Sequence, residues 1–215
     1  MLAVLIGMSP VAMFGAAAWV AHRRSLQIEI VDMRDQSPRA KRGQRRTPVD
    51  AVVLHQMAFS RGSELRRYRN VTAHFVIVPD GSVGQLHPIN ARLSASNGFN
   101  GRSVAIEFAG NLRSANGNWW KPDRYGRDFL TPAQAESGRR LLRVLRRHGI
   151  RYVFGHRQSS ASRGNDPGPE IWSSVGQWGI DVLAMSDGGS EFAVGSGRPI
   201  PEAWRRYVAE ETRDV

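Results

Sequence analysis

The chain contains no cysteine. A disulfide framework, a thiolate zinc finger and a cysteine nucleophile are therefore excluded. The compartment stays open, because exported proteins without cysteine are common. Lysine is also scarce, with only Lys41 and Lys121 present. Arginine thus supplies nearly all of the positive charge behind a formal net charge of +11. Such a surface attracts polyanions, whether nucleic acid, anionic lipid or an anionic cell wall. The arginines are scattered, and no helix-turn-helix, zinc-finger or RNA-binding signature accompanies them, so no nucleic-acid partner is expected. There is no internal repeat. At 215 residues with 41% apolar content, the chain fits one domain with a tail.

Charge is missing altogether from Met1 to Ala21. That run is rich in Ala, Gly, Val, Leu and Met, and it is long enough to span a bilayer, for which about 20 residues are needed. His22-Arg23-Arg24 come directly after it, and positive charge on this flank favours keeping the downstream domain in the cytoplasm. A secretory signal would place its charge before the apolar stretch, although Ala16-Ala17-Ala18 offers a small-residue cleavage site. The run is read first as a membrane anchor or releasable signal-anchor, then as a cleaved signal, then as a start placed too far upstream.

Past this run, strand and helix signals alternate. Gln27–Val31 alternates like an edge strand, and Asp50–Leu54 is an apolar strand that ends at His55. Val71–Val78 and Val83–His87 flank Pro79-Asp80-Gly81-Ser82, the strongest hairpin cue in the chain. Ser103–Ala109 is a short apolar strand whose one charged residue is Glu107. Thr131-Pro132 opens a helix with Thr as the cap, and Leu141, Leu142, Val144 and Leu145 form its apolar side. Ile150–Phe154 is a strand leading to His156. From Gln177 onward, glycines and Pro199-Ile200-Pro201 read as an irregular tail. Strands alternating with helices plus one hairpin predict an α/β domain with a central mixed β-sheet flanked by helices.

Six histidines are present. His22, His87 and His148 lie beside the leader, after the hairpin and at a helix end, and His74 lies inside a strand as a structural residue. His55 and His156 differ, because each ends an apolar strand and opens a loop. Strand ends on one edge of a sheet converge, and sites gather there. Asp166, in Asp166-Pro167-Gly168-Pro169, comes after His156 on a loop of small polar residues. A catalytic zinc wants three protein ligands and one open position, and without cysteine these must be His, Asp or Glu. His55, His156 and Asp166 are the candidate set.

The blocks carrying these residues resemble a known family. Val53-Leu54-His55, the hairpin from Thr72 to Leu86, Asn100 to Gly110 with Glu107, Thr131-Pro132-Ala133-Gln134, Gly155-His156-Arg157 and Asp166 to Pro169 stand in the same order. Together they cover about residues 28–175 and are similar to the zinc N-acetylmuramoyl-L-alanine amidases. Those enzymes share a fold with peptidoglycan recognition proteins and phage amidase lysozymes. The resemblance implies a peptidoglycan or muropeptide substrate and hydrolysis of the amide between N-acetylmuramic acid and L-alanine by a zinc-activated water. It implies Glu107 as the proton shuttle. Two features depart from the family pattern. A Trp-His pair usually comes after the hairpin, where this chain reads Arg92-Leu93-Ser94-Ala95. The lysine often found two residues before the third ligand is Gly164 here, and neighbouring Arg163 is the candidate substitute for stabilising the oxyanion. These losses keep a non-catalytic peptidoglycan-binding module as the alternative. The expected division is an apolar leader or anchor over 1–24, the zinc amidase domain over 25–176 and an irregular extension over 177–215. A membrane-anchored, periplasmic or exported location fits such a substrate, as does a cytoplasmic enzyme working on recycled muropeptides.

Overall fold

Ala51–Gln56 forms a strand, β2, that is buried at all six positions. Its near-continuous apolar sequence is what a strand covered on both faces requires. A computed structural model gives the fold and describes residues 28–45, 47–57, 62–110 and 129–206. The other described strands are β1 (Ile30–Asp32), β3 (Phe75–Ile77), β4 (Val83–Gln85), β5 (Ser103–Phe108) and β6 (Tyr152–Gly155). They form one sheet in the order β1-β4-β3-β5-β2-β6. Only the β3–β4 hairpin is antiparallel, and the other neighbours run parallel. The mixed sheet expected from the sequence is therefore what forms.

The main helix, α1 (Pro132–Arg147), starts where the sequence places it. Thr131 accepts the Gln134 N–H and the Gln134 side chain accepts the Thr131 N–H, so two otherwise unpaired donors are satisfied reciprocally. The same Gln134 side chain donates to Ile77 O and Ala109 O, tying the helix start to the sheet. Leu141, Leu142 and Leu145 bury against Val52, Leu54, Val104, Ile106 and Val153. Each such leucine contributes roughly 1.5–3 kcal/mol. A glycine at 138 lets the helix approach closely, since a Cβ there would lie 2.8 Å from Phe108 Cζ.

Side chains alternate along a strand. With Val52, Leu54, Val104 and Ile106 turned to α1, the odd-numbered residues of β2 and β5 face the other way. On that opposite face Ala51 and Val53 pack with Phe99 and Phe154, and Tyr152, Phe192 and Val194 lie against them. His55 and Glu107, next in the alternation, stand on this second face.

Two expectations need correction. The strand read over Val71–Val78 is only Phe75–Ile77, and His74 precedes it. The irregular tail does not begin at Gln177. A helical run of α2 (Pro169–Ile171), a π-helical stretch (Trp172–Gln177) and α3 (Trp178–Leu183) passes through that boundary. Beyond Ala184 the chain is largely irregular up to α4 (Glu202–Arg205). This extension lies over the loop after β6. The Gln158 side chain donates to Asp187 O and Phe192 O, Val194 N–H donates to Gln158 O, and Arg198 N–H donates to Arg157 O. A partly buried Arg205–Asp187 pair fastens its far end. Among the described residues no helix is long and apolar enough to cross a membrane. The uncharged run 1–21 lies outside the described residues.

Candidate metal centre

His55 reaches the site from the end of β2, and His156 from the 3-10 turn His156–Ser159 directly after β6. Parallel pairing of β2 with β6, Leu54 opposite Gly155, brings those two ends side by side. Gly155 is needed for close approach, because a Cβ there would lie 2.8 Å from Pro167 Cδ and 3.0 Å from Ile200 Cδ1. The loop then folds back: Arg157 N–H donates to Asp166 O, and Asp166 N–H donates to Arg163 O. Asp166 is thereby placed against β2, where its Oδ1 accepts the Gln56 N–H at 2.9 Å. Its other oxygen, Oδ2, is left to face the imidazoles.

The three side chains are almost fully buried and meet at one point. His55 Nδ1 and His156 Nδ1 are 3.0 Å apart, His156 Nδ1 is 2.9 Å from Asp166 Oδ2, and His55 Nδ1 is 3.6 Å from the same oxygen. Tetrahedral zinc with bonds of about 2.0–2.2 Å sets its ligand atoms about 3.3–3.6 Å apart. The triangle is close to that size. The outer nitrogens are held as well. His55 Nε2 meets Ser96 Oγ at 3.0 Å, and His156 Nε2 donates to Asn97 Oδ1 at 2.6 Å. A neutral imidazole that donates from Nε2 carries a lone pair on Nδ1. A cation that replaces the protons shared with Asp166 would meet two inward lone pairs and a carboxylate oxygen in a buried site. The residues present therefore fit zinc.

The electrostatics agree with such a site. Burial pushes the His55 pKa down and neighbouring His156 lowers it further, with Asp166 opposing, so His55 is held neutral. Burial alone would raise the Asp166 pKa, but hydrogen bonds to His156 and His55 hold it well below the usual carboxylate range. Glu107 sits opposite His55 in the β5–β2 register. Its pKa is raised well above the ordinary value, first by burial and then by the Asp166 carboxylate, with Arg163 opposing. Its Oε2 is buried without a hydrogen-bond partner. A partly buried carboxyl that favours its proton, beside a cluster of metal-ligand type, is suited to moving protons.

The other candidates separate from the centre. Arg163 is exposed, yet its charge acts on both Glu107 and His55. Gly164, where the family often carries lysine, offers no side chain. His74 is structural: Nδ1 accepts the Ala105 N–H, Nε2 donates to Ala91 O, and burial drives its pKa down to about 3. His87 accepts from Arg42 Nε and lies outside the cluster. Sequence reasoning did not single out Ser96 or Asn97. The only signal was the Ser-Asn-Gly stretch, which reads as an ordinary turn. Asn97 does adopt a left-handed conformation with φ of 48°.

Comparison with known proteins bears on the same residues. The family model described as N-acetylmuramoyl-L-alanine amidase matches residues 45–169. No curated protein sequence matches the chain. Among solved structures, the N-acetylmuramoyl-L-alanine amidase LysC from Clostridium intestinale URNW is 20% identical with a TM-score of 0.51, covering 74% of this chain and 99% of that one. Drosophila peptidoglycan recognition protein SA is 16% identical with a TM-score of 0.55, covering 71% of this chain and 92% of that one. At these identities the structural likeness shows the fold.

Proposed function

The chain belongs to the N-acetylmuramoyl-L-alanine amidase family, and from that premise we propose a zinc-dependent hydrolase whose metal ligands are His55, His156 and Asp166. Its substrate is peptidoglycan or a muropeptide, and the bond cleaved is the amide between N-acetylmuramic acid and L-alanine of the stem peptide. The observation that carries this reading is the convergence of two imidazole nitrogens and one carboxylate oxygen within 3.6 Å of one another. When bound, zinc supplies a Lewis acid that polarises a carbonyl and lowers the pKa of water to about 7. Glu107 accepts the proton of the attacking water and returns it to the leaving amine of L-alanine. Arg163 lends positive charge to the developing oxyanion. The basic surface suits carboxylate-bearing stem peptides. The catalytic domain in this reading begins near residue 25 and runs through the helix that ends at Leu183, with 1–21 as an anchor or leader that brings it to its wall substrate.

A second reading is a peptidoglycan-binding module without turnover, favoured by Gly164 in place of the usual lysine. Metal analysis and release of stem peptides from purified peptidoglycan separate the two. Stoichiometric zinc with peptide release supports the enzyme, and wall binding without release supports the module. Glu107→Gln is expected to keep zinc and lose about 10²–10⁴-fold in rate; a fully active variant removes Glu107 from proton transfer.

A further inference from the structure

Residues 96 and 97 are adjacent in the chain, and each touches the outer nitrogen of a different imidazole. Ser96 Oγ lies 3.0 Å from His55 Nε2, and Asn97 Oδ1 lies 2.6 Å from His156 Nε2. The loop that carries them is itself fixed from several sides. Asn100 Oδ1 accepts the Ala95 N–H at 3.0 Å and the Ser96 N–H at 2.6 Å. Ser96 O accepts the Ser159 hydroxyl at 2.9 Å, which ties the loop to the turn that begins with His156. The far side of the loop packs against the C-terminal extension, where a Cβ on Gly98 would lie 2.9 Å from Val194 Cγ2. Asn97 holds its left-handed backbone conformation within this frame. Asn tolerates that conformation better than most residues.

We propose that Ser96 and Asn97 are positioning residues, which hold both imidazoles with the proton on Nε2 and with Nδ1 turned to Asp166. The proposal rests on the assignment of His55 and His156 as zinc ligands. It goes beyond that assignment in naming what orients them. The chemistry is general: a metal-ligating imidazole whose other N–H is held by an oxygen has a fixed ring orientation and tautomer. Here one short loop does this for two ligands at once, so a displacement of the loop would misalign both rings together. Asn97 carries the larger share, because its carbonyl oxygen can only accept from His156. The Ser96 hydroxyl is able to donate or accept.

The test uses the full chain with Asn97→Gly and Asn97→Asp. Glycine removes the amide and fits a positive φ without strain, so the loop backbone is retained. Aspartate keeps an acceptor in the same place. Zinc affinity measured by chelator competition should fall about 10–100-fold in Asn97→Gly and return to within a few-fold of wild type in Asn97→Asp. The melting temperature of the metal-free proteins reports whether each variant is folded. Nitrogen spectra of the metal-free wild type should show a proton on Nε2 of His55 and of His156, and the His156 Nε2 proton should no longer be held in Asn97→Gly. Unchanged zinc affinity in a folded Asn97→Gly variant overturns the proposal, as does a wild-type His156 with no proton on Nε2. Should Asn97→Gly fail to fold, the wild-type spectra and the Asn97→Asp affinity still decide. A wild-type protein that takes up no zinc overturns the proposed function, while the spectra judge the hydrogen-bonding arrangement separately.

Discussion

Replacing Asp166 by asparagine changes one atom and isolates the charge. In the native structure Oδ1 accepts the Gln56 N–H at 2.9 Å, and an asparagine carbonyl can keep that bond. The change removes the anionic oxygen 2.9 Å from His156 Nδ1 and 3.6 Å from His55 Nδ1. The metal-free variant should stay folded, because the lost charged hydrogen bonds, about 1.5–3 kcal/mol, are offset by no longer burying a carboxylate. Zinc binding is where the two proteins part. A ligand present at 100 times its dissociation constant stabilises the folded state by about 2.7 kcal/mol. For 150–250 residues, each kcal/mol is worth about 2–4 °C in melting temperature. The 215-residue wild type should therefore melt roughly 5–11 °C higher with zinc than after chelation, and Asp166→Asn should show almost none of that rise. Differential scanning calorimetry with and without zinc makes the comparison. Asp187→Asn is the control: it weakens the partly buried pair with Arg205 and should lower both melting temperatures while keeping their difference. An Asp166→Asn protein with the full zinc-dependent rise would show that this carboxylate is not a ligand.

Arg163→Ala should lower kcat by about 10²–10³-fold if it serves the oxyanion and leave zinc content unchanged. An unaffected kcat would return the arginine to the solvated surface. Gly138→Ala puts a Cβ 2.8 Å from Phe108 Cζ and 3.0 Å from Val175 Cγ2. The overpacking cost of about 1–3 kcal/mol should exceed the roughly 1 kcal/mol gained in helix propensity, and urea unfolding should show a net loss. A more stable variant would mean that α1 sits farther from the sheet.

The parts of the site that end strands were legible from the sequence. His55 and His156 each close an apolar run that is short and rich in β-branched or aromatic residues, which favours a buried strand over a helix. Glu107 was the one charge in an otherwise apolar strand. The α1 start was equally plain, because Thr131-Pro132 with Gln134 satisfies helix-end donors by local chemistry alone. The helical run through Trp172–Leu183 was not legible. Gly176 and Gly179 signal a loop, as glycine disfavours a helix by about 1 kcal/mol. The fold overrides that preference because a Cβ at 176 would lie 2.8 Å from the Trp172 ring and one at 179 would lie 3.0 Å from Leu142. Ser96 and Asn97 escaped notice for a related reason. Their role depends on partners 41 and 59 residues away, and nothing local distinguishes them from turn residues.

The order of β5-β2-β6 has a consequence for how the protein comes into being. β2 is made first, yet both of its neighbours are made later. His55 waits 101 residues for His156, and the Gln56 amide waits 110 for Asp166. A growing polypeptide thus holds a single member of the triangle until its last third is synthesised. Pairings of such long span are also slow to close. Products terminated before Asp166 therefore lack the complete triangle.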